Sequence, residues 1–268
     1  MGRYFLEHPH AIVAYAIPQT ALDRYVAYYR SVEVAGIPIQ VKPGVSEEIQ
    51  RREEILNGCI DVGYGYDRSP GYLGVYHIMR NLRRGRMPSN FDMSLVQVLS
   101  DLDGAASGLY RQLRGRNVLW FGANFEQAPN PDSRVLLSAE RDRLGCRQAT
   151  LDWRLSAIDK HSLRVGCRIV GEELARLGLA RMRMDAWLLK DDSSWSDLEG
   201  HFHHMGTTRM SDDPTSGVVD ADCRVHGVSN LYVAGSSVFP TCGYANATLT
   251  IVALALRLAD HLQKKVRV

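Results

Sequence analysis

The chain has 268 residues, enough to bury a sizeable core as one large domain or two ordinary ones. At 45% hydrophobic and 23% charged it has the composition of a globular protein, which excludes a disordered chain. A net charge of +2, with the arginines dispersed, gives no basis for nucleic-acid binding or for docking on an anionic membrane.

In chain order, MGRYFLEHPH reads as a turn or loop in which Pro9 biases His8 to an extended backbone, and AIVAYAI as a buried strand. TALDRYVAYYRSVEVAG is mixed. SEEIQRREEILNGC predicts a helix capped by Ser46 and ended by Gly58, with acids crowding its first turn. RNLRRGR, 80 to 86, reads as a solvated face or a helix end. From 89 to 114, the spacing of Met93, Val96, Leu99 and Leu102, then Leu109 and Leu113, predicts a helix with a glycine-weakened middle.

RNVLWFGANFEQ, DSRVLLSAE and RQATLDWRLSA are three strand-like runs separated by the turn sequences APNP and DRLG. The second and third predict adjacent antiparallel strands, with Ala149, Leu151, Trp153 and Leu155 on one face. DKHSLRVGCRIVGEELARLG predicts an amphipathic helix with Asp159 as cap and Gly178 as stop. RMRMDAWLLK predicts a short strand and DDSSWSDLEG a polar loop. A strand over Leu231–Ala234 runs into Gly235-Ser236-Ser237. A glycine- and asparagine-containing loop then becomes a long helix from about Ala247 or Thr248. The longest apolar run, LTIVALALRLA, is broken by Arg257 and falls short of the ~20 residues a membrane span needs.

The five cysteines, Cys59, Cys146, Cys167, Cys223 and Cys242, include no CxxC pair, which leaves zinc-ribbon and thioredoxin-like readings unsupported. Their pattern suits a reducing compartment such as the cytoplasm, and the N-terminus lacks the basic-then-apolar order of a signal peptide. HFHHMGTTRM, 201 to 210, concentrates three histidines. In an extended backbone His201 and His203 share a face, a two-ligand arrangement for a metal. There is no HExxH, and no cysteine lies nearby at ligand spacing, so no metal site is expected. The ten residues alone also fit a polar loop without chemistry.

The wider segment decides differently. Residues 203 to 262 contain an H-x-x-G-T block, GVVD, RV-x-GV-x-NLYV-x-GS and P-T-x-x-x-x-N-x-T-L-T. Together they closely resemble the C-terminal region of the glucose-methanol-choline (GMC) oxidoreductases, FAD enzymes that oxidise alcohols, including sugars. MGRYFLEHPH resembles the family's crossover from flavin domain to substrate domain. NFEQAPNPDSRVLLS and LDWRLSAIDK resemble strands of its substrate-domain sheet. The resemblance covers most of the chain, and is looser from about 16 to 115. It implies an α+β chain: an antiparallel substrate-domain sheet with helices, plus the C-terminal part of an FAD-binding α/β domain. The implied division is 1–15 as flavin-domain remnant and crossover, 16–195 as substrate domain, and 196–268 as the C-terminal segment of the flavin domain.

The resemblance also implies roles. Alcohol oxidation removes a hydroxyl proton and a C–H hydride. The proton calls for a base of near-neutral pKa, which histidine supplies. The catalytic pair falls on His203, as base, and Asn246, which orients the alcohol by hydrogen bonding. On residue type alone Asn246 fits a helix N-cap equally well. FAD is the implied cofactor. Gly235 and Ser236 fall on a turn near its ribityl and pyrophosphate part. Asn246, Ala247 and Thr248 fall where a helix N-terminus approaches the flavin pyrimidine edge and stabilises negative charge. His204, His201, His8 and His226 are expected to be structural neighbours rather than reacting groups.

The family's N-terminal G-x-G-x-x-G fingerprint for the FAD pyrophosphate is absent; DLDGAASG lacks the spacing. The chain is therefore expected to be a portion of a full enzyme, partnered by an N-terminal FAD-binding half or subunit and acting on a small-molecule alcohol, with a sugar or polyol preferred. The other expectation is a non-catalytic remnant or assembly subunit that binds no flavin alone.

Overall fold

A computed structural model describes residues 2–18, 32–65, 69–87, 90–113, 118–190, 192, 195 and 198–266. The first long element is the strand β1, Pro9–Pro18. It is followed by a small hairpin, β2 (Val32–Val34) and β3 (Ile37–Ile39), the short helix α1 (Glu47–Glu53) and the strand β4 (Gly58–Gly65). Three helices come next, α2 (Pro70–Leu82), α3 (Phe91–Ser100) and α4 (Leu102–Leu113). Strands β5 (Val118–Phe125), β6 (Arg134–Arg141) and β7 (Arg147–Asp152) precede the long helix α5 (Ala157–Arg176). Beyond it lie β8 (Ala180–Met184), the one-turn α6 (Ala186–Leu189), the two-residue β9 (Glu199–Gly200), a 3-10 turn (Ser236–Val238) and the terminal helix α7 (Thr248–Val266). The mixture of helices and antiparallel sheet is the α+β class expected.

The main sheet runs β4-β5-β1-β8, with β9 also pairing to β1, and every pairing is antiparallel. The apolar run of β1 lies inside because neighbours flank both its edges and α5 covers a face. Ala11, Val13, Phe121, Phe125, Leu163, Cys167 and Leu188 are all buried in one cluster. Helix and sheet approach closely at Gly166: a Cβ there would lie 2.5 Å from the ring tip of buried Phe125. A second core joins Leu6 to the C-terminal segment through Met205, Val219, Cys223, Val238, Phe239, Ala247 and Leu258. Among the described residues, no helix is long and apolar enough to cross a membrane.

Several boundaries differ from the sequence reading. Ser46 does cap α1, its hydroxyl accepting from the Ile49 N–H at 3.3 Å. The helix, however, ends at Glu54 in a left-handed conformation, and Gly58 opens β4 instead. The helix expected over 89–114 is two helices. The Asp101 carboxylate accepts from the Gly71 N–H (3.0 Å) and the Gly104 N–H (2.9 Å), so it caps α4 and ties it to α2. Met93, Val96, Leu99 and Leu102 have helical spacing but are exposed. The inward contacts use Ser94, Gly104, Ala105 and Gly108, whose small side chains let the helices close on Gly71, Tyr72 and Gly74. RNLRRGR closes α2, as a helix end. Part of the mixed run falls on residues 19–31, which lie outside the described residues.

Of the three middle strands, only β5 joins the main sheet. β6 and β7 pair with each other as a separate, largely exposed ribbon, so Leu137 and Leu151 face solvent. The cap of α5 is Ser156. Asp159 completes a capping box from the third position, accepting from the Ser156 N–H (2.5 Å) and hydroxyl (2.7 Å), and also from the Ala128 N–H (2.7 Å). Leu231–Ala234 forms no strand. Its described backbone bonds run to one side, to Cys223 and Val225, with a single bridge between Arg224 and Tyr232.

Candidate active site

The histidines sit on a bulge that two pairings define. Leu6 and Met205 exchange backbone hydrogen bonds at 3.0 and 2.9 Å, and Pro9 pairs with Gly200. Between those anchors one side has two residues, Glu7 and His8, and the other has four, His201 to His204. The surplus arches outward. Phe202 takes up the turn in a left-handed conformation, φ +59°, where a bulky side chain is strained. His201 and His203 turn their rings toward His10 and His8, while Phe202 and His204 remain exposed.

Four imidazoles thus form a row. His10 stacks on His201 with centroids 4.2 Å apart, His201 meets His203 edge-on at 6.3 Å, and His203 lies 5.0 Å from His8. His8 is fully buried. Burial foremost, and then the charge of His203, holds it below the ordinary histidine range, while the Cys242 backbone acts in the opposite sense. His10 is depressed by burial and then by His201; His201 is depressed by burial and then by His203. Burial and proximity of this kind disfavour charge on His8, His10 and His201, because each loses water and faces a like-charged neighbour.

Glu7 holds the bulge from beneath. Its carboxylate is 2% exposed: Oε1 accepts from the backbone N–H of His8 and of His203, both at 2.9 Å, and Oε2 lies 3.3 Å from Nε2 of His204. Its own N–H donates to Oε1 of buried Gln127 (3.0 Å). Gln127 is fixed in turn by the Trp153 indole N–H (3.0 Å) and by donating to the Phe5 carbonyl (3.3 Å). Cys242 packs here too: the Gln127 N–H lies 3.2 Å from its sulfur, and burial pushes the thiol up to about 12. It is therefore a packing thiol and not a nucleophile. Sequence reasoning passed over Glu7, Gln127 and Asn124. The acid and two histidines of EHPH, sitting in a segment that pairs with another histidine cluster, were the available signal.

The expected cofactor turn is tied to the bulge. Gly235 adopts φ +122°, a conformation that favours glycine, and no atom lies within 4 Å of where its Cβ would be. Ser236 Oγ donates to the His204 carbonyl (2.7 Å), the Gly206 N–H reaches the Ser236 carbonyl (3.4 Å), and Thr208 bonds Ser237 through both backbone and hydroxyl. The loop before α7 approaches from the other side, where the Asn124 amide donates to the Tyr244 carbonyl at 3.5 Å. Asn246 is exposed and makes no hydrogen bond to His203 among the described residues. It is not the helix cap either: the Ala247 carbonyl accepts from the Ile251 N–H, so the cap position is one residue later. Ala247 is buried in the second core, and Thr248 begins the exposed first turn.

A recess of about 520 Å³ opens beside the bulge, lined by Phe5, Trp153, Phe202, His204, Glu7 and Glu199 among others; His201 and His203 do not line it. Among the described residues, no group of three or more His, Cys, Asp and Glu is arranged to hold a metal ion.

Comparisons with known proteins find relatives in one family. Residues 129–255 match the family model described as GMC oxidoreductase. A paromamine 6'-oxidase from Streptomyces fradiae is 34% identical over 131 residues, 49% of this chain and 23% of that protein. The fructose dehydrogenase large subunit of Gluconobacter japonicus is 29% identical over 141 residues, 52% of this chain and 24% of that protein. A C-glycoside 3-oxidase from Microbacterium trichothecenolyticum is 44% identical over 71 residues, 26% of this chain and 14% of that protein. An FAD-dependent oxidoreductase from Chaetomium thermophilum has the same fold at a TM-score of 0.50 and 16% identity, over 100% of this chain and 49% of that one. The chain is similar to the GMC oxidoreductases over residues 129–255. It aligns with about a quarter or less of the length of these curated relatives.

Proposed function

We propose that this chain forms the substrate-side wall and the base of an FAD-dependent alcohol oxidoreductase, with residues 1–15 as crossover, 16–195 as substrate domain and 196–268 as flavin-domain segment. The observation that carries the reading is the hydrogen-bonded join between the His201–His204 bulge and the Gly235–Ser236 turn. It ties the segment that carries the half-buried His203 to that turn through the His204 carbonyl and the Gly206 N–H, which supports the reading. The alcohol's O–H proton goes to His203, its C–H hydrogen leaves as hydride, and the product is the carbonyl compound. FAD, when bound, supplies the two-electron acceptor for that hydride. Asn246 orients the alcohol by hydrogen bonding and gives up no proton. The sugar-acting names among the relatives favour a sugar or polyol as substrate.

The residues present fit the cofactor at one edge. Gly235 leaves open space at a backbone turn, and the first-turn N–H groups of α7 at Thr248, Leu249 and Thr250 have no partner within the helix, on an exposed surface. They suit an electron-rich ring edge. An N-terminal FAD-binding half or subunit would supply the pyrophosphate fingerprint that these 268 residues do not carry.

The test begins with the visible spectrum of the purified chain, as isolated and after incubation with FAD or with an FAD-binding half. In a flavin-loaded assembly, His203→Ala slows flavin bleaching by alcohol ~10²-fold or more, the usual weight of a general base. Unchanged bleaching removes His203 from the mechanism.

A further inference from the structure

The chemistry assigned to His203 needs more than an imidazole in the right place. A base needs a free lone pair on the nitrogen that meets substrate, so its other nitrogen must carry the proton. In a neutral imidazole that choice is made by whatever the second N–H bonds.

Nδ1 of His203 is buried and has no hydrogen-bond partner among the described residues. Three neighbouring groups bear on what it can meet. Glu7 Oε1 already takes two backbone N–H groups and Oε2 faces His204. The His201 ring is further away and edge-on, at 6.3 Å. His8 remains. Its ring is wholly buried, tilted 56° to that of His203 with centroids 5.0 Å apart, and neither of its nitrogens has a side-chain hydrogen bond among the described residues. Two buried imidazoles side by side leave three unsatisfied nitrogens between them, each of which costs stability while it stays unpaired. A hydrogen bond between the two rings would remove part of that cost.

We propose that His8 is the positioning residue that sets the tautomer of His203: a lone pair on His8 accepts the His203 Nδ1–H and leaves Nε2 unprotonated toward the substrate. His8 suits the role because its surroundings disfavour its charged form. Burial and the charge of His203 both depress it, and the carboxylate of Glu7 opposes them only weakly. The Cys242 main chain lies beside His8 and tends to raise its basicity, so His8 has a backbone group to which its own proton can be directed, freeing its other nitrogen to accept. Glu7 fixes the backbone of both residues through one oxygen, which keeps the rings in register. His8 does not touch substrate; it acts through His203.

This inference rests on the reading of His203 as the base, but its test does not. Ring nitrogens of the ¹⁵N-histidine-labelled chain are assigned through two-bond proton–nitrogen couplings at a pH above the histidine range. The expected result is His203 protonated at Nδ1, with a coupling across the hydrogen bond to a His8 nitrogen. His8→Phe keeps the ring and removes the acceptor, so His203 shifts toward the Nε2–H form; His8→Gln, which supplies a carbonyl acceptor, restores the Nδ1–H form. A wild-type His203 protonated at Nε2 overturns the proposal even if neither variant folds, and so does an unchanged tautomer in a folded His8→Phe. Loss of the base reading would instead appear as unimpaired flavin bleaching in His203→Ala, whatever the tautomer.

Discussion

Glu7 concentrates more of the site's geometry than any residue the motifs point to. Its Oε1 accepts the backbone N–H groups of His8 and His203, both out of solvent's easy reach, so Glu7→Ala leaves two donors without an acceptor. The expected loss is about 1–3 kcal/mol per orphaned donor, read from the midpoint of denaturant unfolding. A wild-type midpoint would show that water reaches the space and satisfies both groups. Asn246 is a different case, because it neither caps α7 nor lies buried. Asn246→Ala is expected to slow flavin reduction in the loaded assembly while leaving the melting temperature within a degree or two. A loss of stability with unchanged reduction would return Asn246 to a purely structural role. His8 and His201 lie on either side of His203 in the imidazole row.

At the scale of elements, the seam between α5 and the main sheet depends on a missing side chain. Gly166 faces the ring of Phe125, and the ring has no room to move because it is fully enclosed by the core. Gly166→Ala should therefore destabilise by about 1–3 kcal/mol, the usual penalty for overpacking, despite alanine's better helix propensity. A stabilised variant in thermal unfolding would mean that helix and sheet are further apart than described. Local signals placed α5, β1 and β5 well, because each carries a clear period or an unbroken apolar run with caps at its ends. They failed where a side chain reaches across the chain. Asp101 splits the helix expected over 89–114 by bonding Gly71, thirty residues away. The strand expected at Leu231–Ala234 finds pairing on one side only, among the described residues.

For the whole molecule, the buried imidazoles set a pH dependence whose sign follows from their surroundings. His8 faces His203, Glu7 and His201. His10 faces His201, Asp61, Glu199 and Lys42. His201 faces His203, Asp61, Lys42 and Glu7. All three are depressed, so the unfolded chain binds more protons through the interval below the ordinary value of about 6.5. Their contribution is fully present above that value and is lost as pH falls through the interval. Asp159 and Glu126, pushed up chiefly by burial, act with the opposite sign. The difference between wild type and His10→Gln isolates the imidazole: the variant's stability should fall less steeply between pH 7.5 and pH 5, by urea unfolding at each pH. Equal slopes would mean that His10 is hydrated in the folded state.

The resemblance to the GMC oxidoreductases and the α+β class were legible in the amino-acid order, because those features live in short motifs and local periods, and the same motifs nominated His203, Gly235 and Ser236. The tertiary structure alone decided what surrounds them. The two-against-four count between Leu6–Met205 and Pro9–Gly200 is a property of pairing, and it is what lifts Phe202 outward and turns His203 against His8. Glu7, Gln127 and Cys242 come from three distant segments, and a buried carboxylate holding backbone N–H groups leaves no mark in a one-dimensional pattern. Motifs report chemistry that repeats along the chain, whereas burial and hydrogen-bond partners depend on which segments fold against each other.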